Sequence, residues 1–144
     1  MEHGTELDRA VEQSHDALAA IIRGDVSGYA DLYSEQDDIT IGNPFGPFAR
    51  GRRAVIATGE GAAARYRDGE IVGFEEISRH VGDDLACVVE VERFRAKVGE
   101  MDDFASVALR VTSVFRWEDG AWRLAHRHAD PITTPQAAQS VIQA

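Results

Sequence analysis

The sequence predicts a single α+β domain in which helices come first and an antiparallel β-sheet follows. Three observations predict it. Apolar residues recur at helical spacing in the first part of the chain, long β-rich runs follow from residue 70 onward, and no helix separates those runs. Separation of helices from strands is typical of α+β folds and not of βαβ folds. At 144 residues the chain has the length of one ordinary domain.

The N-terminal half predicts three helices and one short strand. Apolar residues from Leu7 to Ile22 follow helical spacing, and Gly24 ends this first helix. Asp25 is positioned to cap a second, short helix. The segment 39–41 has strand character, and the segment 50–66 returns to helix. The helices therefore precede or flank a single strand before the sheet begins.

The C-terminal half predicts four long strands joined by tight turns. We expect them at residues 70–81, 85–98, 104–117 and 121–130. Asp119-Gly120 between two Trp-containing apolar runs is a strong signal for a β-hairpin. The predicted element order is α-α-β-α-β-β-β-β. We expect residues 1–132 to form the domain and residues 133–144 to be a C-terminal tail.

Apolar residues occupy both alternating positions of the long strands, as Val88 and Val89 show in one strand and Val111 and Val114 in the next. A sheet that is apolar on both faces needs cover on both. The helices can cover one face, and a second copy of the chain is the natural cover for the other. We therefore expect a homodimer.

The composition excludes several classes of partner. The formal charge is −10, whereas proteins that bind nucleic acid or anionic membranes need a basic surface. No apolar run is long enough to cross a bilayer, and the N-terminus lacks the pattern of a signal peptide. The sequence contains neither a glycine-rich phosphate loop nor a paired-cysteine metal signature. We expect a cytoplasmic protein without a cofactor or a resident metal.

Two stretches carry a resemblance to a known superfamily. The first has GDVSGY at 24–29 and ITIGNPFG at 39–46, and the second has VFRWEDGAWRLAHRH at 114–128. They resemble ketosteroid isomerases, the association domain of calcium/calmodulin-dependent kinase II and small polyketide-cyclase-like bacterial proteins, all of the nuclear transport factor 2-like superfamily. The resemblance implies a cystatin-like cone, with three N-terminal helices packed on a strongly curved antiparallel sheet. It also implies an interior pocket for a small apolar or aromatic ligand.

The resemblance also implies that the isomerase mechanism is altered here. Asn43 stands where those isomerases carry an aspartate as general base, and a carboxamide cannot take up a proton near neutral pH. Ala17 and Ser113 stand where the isomerases carry the donors of the oxyanion hole. Two interpretations of Asn43 remain open, contact with the ligand and capping of the turn before Pro44. Ser113 would orient the substrate.

His126, His128 and Asp130 share one face of the last predicted strand, because residues two apart point the same way. A two-residue Asp119-Gly120 turn, which we favour, places both histidines on the side of Ser113. A three-residue loop would place Arg127 there instead. The histidines could be acid/base or substrate-contacting groups, metal ligands completed by a third residue, or hydrogen-bonded residues of a wall or interface.

Glu90 and Glu92 alternate with valines, a pattern typical of a solvated strand face. The resemblance instead implies that Glu92 lies inside, where desolvation would suit it to act as a general base or Arg127 would neutralise it. We expect Phe45 and Phe48 to gate or line the pocket, and His15, which lies among polar residues, to be solvated.

Two functions remain open. The first is a small isomerase- or cyclase-like enzyme that binds an apolar molecule and catalyses proton transfer or water addition. Its catalytic groups would be His128, His126 or Glu92, and its substrate-binding residues would be Asn43, Ser113, Arg127, Glu90, Phe45 and Phe48. The alternative is a ligand-binding or oligomer-assembly module without catalysis.

Overall fold

The computed structural model describes residues 2–143, which form two α-helices and one six-stranded sheet. The helices are α1 (Glu2–Ile21) and α2 (Arg52–Ala63), and the strands are β1 (Thr40–Gly42), β2 (Ala49–Arg50), β3 (Tyr66–Val81), β4 (Leu85–Val98), β5 (Ala105–Glu118) and β6 (Ala121–Asp130). Short 3₁₀ helices lie at Ala30–Leu32 and Ala138–Val141. No helix within this part of the chain is long and apolar enough to cross a membrane.

The strand order is β2-β1-β6-β5-β4-β3, and the four long strands form antiparallel pairs in sequence order, as predicted. Their bounds lie within one residue of the prediction except for β3, which begins at Tyr66 instead of residue 70. β1 runs parallel to β6 and pairs with β2, a strand that the sequence did not indicate. The pairing of β3 with β4 contains three register shifts, which bend strands locally. Strong curvature of the whole sheet stays a prediction.

The predicted second α-helix is wrong, because the chain after Asp25 forms only the 3₁₀ turn at Ala30–Leu32. The Asp25 carboxylate accepts a hydrogen bond from the Ser27 N–H at 2.9 Å, which makes a local turn. Tyr33 is then extended, and the Ser34 N–H donates to the Leu124 carbonyl oxygen of β6 at 2.8 Å. Pairing with β6 thus replaces helical propagation, which is costly to nucleate over so few residues.

The helices cover one face of the sheet, here named the inner face. On β4 this face carries alternate buried residues, namely Ala86, Val88, Glu90, Glu92, Phe94 and Ala96. The opposite or outer face carries Cys87, Val89 and Val91, which are only half-buried. The core therefore lies between the inner face and the helices. The homodimer expected to cover the outer face stays a prediction.

Candidate functional site

The interior between the inner face and the helices contains two small cavities that share Leu18, Ile21, Tyr29 and Arg127. Their volumes are about 30 and 50 Å³. The smaller lies toward Tyr33 and Leu124, and the larger is completed by residues that include Ile41, Asn43, Phe45, Tyr66, Leu109 and Ala129. We name these two cavities and their lining the interior site. Its walls are mainly apolar.

A buried ion pair forms the polar centre of the interior site. Arg127 donates from Nη1 and Nη2 to the two carboxylate oxygens of Glu92, at 2.9 and 2.8 Å. The side chain of Glu92 is 2% exposed and that of Arg127 is 15% exposed. Burial alone would lower the pKa of Arg127, but the Glu92 carboxylate outweighs burial and raises this pKa. Arg127 is therefore charged, and both oxygens of Glu92 are occupied.

Arg127 retains donors for a ligand. A guanidinium carries five N–H donors. Within residues 2–143 the side chain of Arg127 makes two hydrogen bonds, both to Glu92, while it borders both cavities. Arg127 thus forms an ion pair with Glu92 inside the fold, one of the two arrangements that the sequence left open for Glu92. The remaining N–H donors of the guanidinium can bind a second acceptor.

The expected placement of His126 and His128 on the side of Ser113 is wrong. The two-residue turn at Asp119-Gly120 does form, and Trp117 pairs with Trp122 across the hairpin. Between the pairs Val114–His126 and Phe115–Leu124, however, Ala125 is an extra residue. Such a bulge reverses the side-chain alternation beyond it.

As a result Ser113 pairs with Arg127, whose side chain enters the interior, and the histidines lie on the outer face. His126 Nδ1 lies 2.8 Å from Thr40 Oγ1, and His128 Nε2 lies 2.9 Å from Asp130 Oδ2. These contacts match the hydrogen-bonded wall that the sequence left open. Among the described residues, no group of three or more His, Cys, Asp or Glu side chains is arranged to hold a metal ion.

The charge of His128 affects the titration of its outer-face neighbour His126. Burial lowers the pKa of His126, and the neighbouring charge of His128 lowers it further. Phe48 lies beside them, with ring centroids 6.1 Å from His126 and 5.7 Å from His128. Phe48 is 66% exposed and does not line the interior site. Of the two roles expected for it, lining the pocket is wrong, and gating the pocket stays a prediction. Gly42 lies beneath the Phe48 ring, and a Cβ there would approach this ring to 2.6 Å, so the exposed ring would have to move.

Asn43 caps its turn and borders the interior site. Its side-chain oxygen accepts a hydrogen bond from the Phe45 N–H at 3.1 Å, as expected for an Asx turn. The residue also lines the larger cavity, together with Phe45. Both interpretations of Asn43 are therefore compatible with its position. Ser113 is buried on the inner face opposite Arg127.

Glu90 contacts a histidine that sequence reasoning placed in solvent. Its carboxylate oxygens lie 2.9 and 3.0 Å from His15 Nε2, and Glu90 is 6% exposed. The His15 ring stacks on Phe74 with a centroid distance of 3.5 Å. Val11, His15 and Leu18 share one helical face, a signal that could have placed His15 toward the sheet. This pair joins α1 to β4 beside the interior site.

Three tyrosines of the interior were not predicted as site residues. The hydroxyl oxygens of Tyr29 and Tyr33 lie 3.1 Å apart. Burial raises the pKa of both, and it raises the pKa of Tyr66 to about 12. All three therefore keep their protons near neutral pH and can donate hydrogen bonds. The spacing of Tyr29 and Tyr33, four residues apart before a strand, was an available signal.

The fold and the interior site define a small α+β domain of the nuclear transport factor 2-like class. A family model described as "SnoaL-like domain" matches residues 11–133, and the chain belongs to that family. This confirms the superfamily that the two sequence stretches resemble. No curated protein matches the chain significantly.

Solved structures support the same fold. A nuclear transport factor 2-like superfamily protein from Salmonella enterica matches with a TM-score of 0.76 and 15% identity, over 94% of this chain and 97% of that one. A ketosteroid isomerase-like protein from Erwinia carotovora matches with a TM-score of 0.72 and 18% identity, over 90% and 98%. A protein from Novosphingobium aromaticivorans, described as having a cystatin-like fold, matches with a TM-score of 0.65 and 17% identity, over 99% and 90%. At these identities the likeness shows the fold alone.

Proposed function

We propose that this domain binds a small, mainly apolar and uncharged molecule in the interior site, through one oxygen acceptor, and does not convert it. The observation that carries the proposal is Arg127, which borders both cavities while using two of its donors on Glu92. A charged donor held in apolar surroundings makes strong hydrogen bonds to an acceptor.

The charge of the site favours a neutral ligand. Arg127 and Glu92 cancel each other's charge, so a bound carboxylate would add an uncompensated negative charge beside Glu92. A carbonyl or hydroxyl oxygen adds no net charge and can accept from Arg127. The protonated Tyr29 hydroxyl lines the same cavities and is a second potential donor. Ketones and phenols have the required chemistry.

Binding is favoured over conversion by the positions of the acid/base candidates. His126 and His128 lie on the outer face, away from the interior site. Both oxygens of Glu92 already accept hydrogen bonds from Arg127 and face its guanidinium instead of a ligand. Asn43 cannot accept a proton near neutral pH. The interior site thus offers hydrogen-bond donors without a free base among these candidates.

The volumes require some movement on binding. An engineered cavity of about 150 Å³ holds benzene, whereas the two interior cavities measure about 30 and 50 Å³. Tyr29 borders both of them, so a shift of its ring would join them. Phe45 borders the larger cavity and faces the surface. We expect one or both aromatic rings to move when the ligand enters.

Titrations followed by two-dimensional amide NMR test the proposal. Acetophenone supplies a carbonyl, ethylbenzene has nearly the same shape without an acceptor, and benzoate adds a charge. We expect acetophenone to bind most tightly and to shift the amides of interior residues. The double variant Arg127→Met/Glu92→Leu, which removes both charges, should lose the preference for acetophenone over ethylbenzene. Equal binding of the two, or no binding of acetophenone, would contradict the proposal.

Hydrogen exchange tests the absence of conversion with the same probe. An enzyme that transfers protons next to a carbonyl would exchange the methyl hydrogens of acetophenone for deuterium in D₂O. We expect exchange at the rate measured in buffer alone. Exchange that is accelerated by the protein and abolished by Glu92→Gln would establish the catalytic alternative instead.

We also propose that a second copy of the chain covers the outer face. Support comes from the half-buried residues Val89, Val91 and Val114, which a monomer leaves partly in contact with water. Light scattering at micromolar concentration should give twice the mass of the chain. A monomeric mass would exclude the dimer without affecting the proposal on ligand binding.

A further inference from the structure

We infer that the ligand of the interior site is elongated, passes Phe45, and ends in a negatively charged group that Arg65 binds in a groove outside. The inference rests on the proposed function and extends it to the substrate class. The groove lies between α2 and the turn that links β1 to β2, it is open to solvent, and its volume is about 420 Å³. It is therefore far larger than the cavities inside.

Only one short turn separates the groove from the interior site. Asn43 and Phe45 line both the larger interior cavity and the groove. On the inside, the Phe45 ring contacts Tyr66 with a centroid distance of 5.6 Å. On the outside, the guanidinium carbon of Arg65 lies 4.9 Å from the centre of the same ring. Rotation of Phe45 would therefore connect the two spaces.

The lining of the groove suits an apolar linker followed by an anion. Its walls are mostly small residues and aromatic rings, with Ala49, Ala54, Ala57, Gly61 and Phe48 among them. Arg65 is the charged residue of this lining. Within residues 2–143, no carboxylate forms an ion pair with Arg65, which is also true of Arg23, Arg50, Arg52, Arg53 and Arg67. Arg65 differs from these five because it lines the groove.

The occupant follows from volume, continuity and charge together. After the movement of Tyr29 or Phe45 proposed above, the interior would hold the acceptor-bearing head of a molecule, and the groove lies on the other side of Phe45. The Arg65 guanidinium at its edge favours an anionic end on the ligand, and this local attraction acts against the long-range repulsion from a chain with a formal charge of −10. The interior excludes that charge for the reason given above. The ligand class is thus an apolar ketone or phenol extended by a short chain with a carboxylate or similar anion.

Three related probes separate this inference from the proposed function. Acetophenone represents the head alone, 4-oxo-4-phenylbutanoate adds a carboxylate on a short chain, and its methyl ester keeps the chain without the charge. At low salt we expect the carboxylate to bind about fivefold more tightly than the ester, the scale of one exposed ion pair. This ratio should fall toward one in Arg65→Gln and at high salt. Arg53→Gln removes an arginine of α2 that lies outside the groove lining, and it should keep the ratio.

The two failures give different results. If acetophenone itself does not bind, the proposed function fails. If acetophenone binds but the carboxylate has no advantage over its ester, or keeps that advantage in Arg65→Gln, only the present inference is overturned. Amide shifts locate the chain independently. The two extended ketones should shift the amides of Ala54, Ala57 and Thr58 on α2, and acetophenone should not; identical shifts from all three would also overturn the inference.

Discussion

Arg127 of β6 binds Glu92 of β4 through two hydrogen bonds that pass over the intervening strand β5. The pair lies on the inner face and has almost no contact with solvent on the Glu92 side. Each charge is tolerated there because the other is present. Stability and ligand recognition are therefore coupled through the same two side chains, and variants must be designed with both in mind.

Removal of Arg127 alone should destabilise the protein strongly. Arg127→Met leaves the Glu92 carboxylate buried without a partner, a change that typically costs about 3–5 kcal/mol of unfolding free energy. The double variant Arg127→Met/Glu92→Leu should recover most of this loss, since apolar replacements of a buried pair are often neutral. Urea unfolding of the three proteins measures the difference. A single variant as stable as the double variant would show that Glu92 finds another partner or water.

Two glycines of α2 should respond to alanine in opposite directions. A Cβ at Gly59 would approach the Tyr29 ring to 2.4 Å, so Gly59→Ala must displace this buried ring. Overpacking of this kind typically costs about 1–3 kcal/mol. At Gly61 the nearest atom is Arg65 Nη1 at 3.5 Å, so Gly61→Ala should gain up to about 1 kcal/mol of helix propensity. Thermal unfolding measures the stability of each variant relative to the native protein. Equal changes in the two variants would contradict the packing of Tyr29 against Gly59.

The pKa of His126 should rise when its neighbour is removed. Burial and the charge of His128 both lower this pKa below the ordinary value of 6.5. In His128→Asn we expect the pKa to move upward but to stay below 6.5, because burial persists. Histidine ring resonances followed by NMR between pH 4 and 8 give the value. His80→Gln, an exposed control, should leave the pKa of His126 unchanged, and a shift of equal size there would exclude a direct effect of His128.

The same depression has a consequence for stability. A histidine whose pKa is lower in the folded than in the unfolded state contributes stability above the unfolded pKa and loses it as pH falls through the folded pKa. Below pH 6.5 His126 should therefore contribute to acid destabilisation. His126→Asn should lose less stability than the native protein over this range, as measured by urea unfolding. An equal loss of unfolding free energy in the native protein and in His126→Asn would show that His126 does not contribute to acid destabilisation.

Tyr66 should make the protein sensitive to alkali. Its folded-state pKa of about 12 exceeds the ordinary value of 10, because burial disfavours the phenolate. The contribution of Tyr66 is fully present below pH 10. As pH rises from 10 toward 12, the unfolded chain ionises first and stability falls by up to about 1.4 kcal/mol per pH unit.

A matched variant isolates this group from the other titrating residues. Tyr66→Phe cannot ionise, while Tyr29 and Tyr33 titrate in both proteins and cancel in the comparison. The stability of the native protein relative to Tyr66→Phe should therefore decrease above pH 10 in urea unfolding. A constant difference between the two proteins from pH 9 to 11 would show that Tyr66 ionises as readily in the folded state as in the unfolded state.

Local signals were enough to predict most of the fold. The four long strands, the Asp119-Gly120 turn and the segregation of helices from strands depend on residues close together in the chain, and the structure has all of them. Asp119 and Gly120 have φ values of 52° and 81°, as a two-residue hairpin turn requires. The second helix was mispredicted because pairing of Ser34 with Leu124, ninety residues later, took precedence over local helical preference.

The candidate site was predicted only in part. Glu92, Arg127, Asn43, Ser113 and Phe45 lie at the interior, while His126, His128 and Phe48 lie outside it. The tyrosines were missed because the four-residue spacing of Tyr29 and Tyr33 indicates that their side chains can lie close together, but not that they are buried in an interior. Their burial depends on α1, α2 and the sheet together.

The sequence by itself determined the class of fold, the strands and turns of the sheet and the residue types available to the site, since these depend on local periodicity and turn chemistry. Only the tertiary structure decided which side of β6 faces the interior. A single extra residue, Ala125, reverses the alternation and exchanges the histidines for Arg127. The Asp119-Gly120 turn forms with this bulge in place. Two contacts between residues far apart in the chain favour the bulge, namely the pairing of Leu124 with Tyr33 and the ion pair of Arg127 with Glu92. Contacts between distant segments have no local signature, because their free energy exists only once the chain is folded.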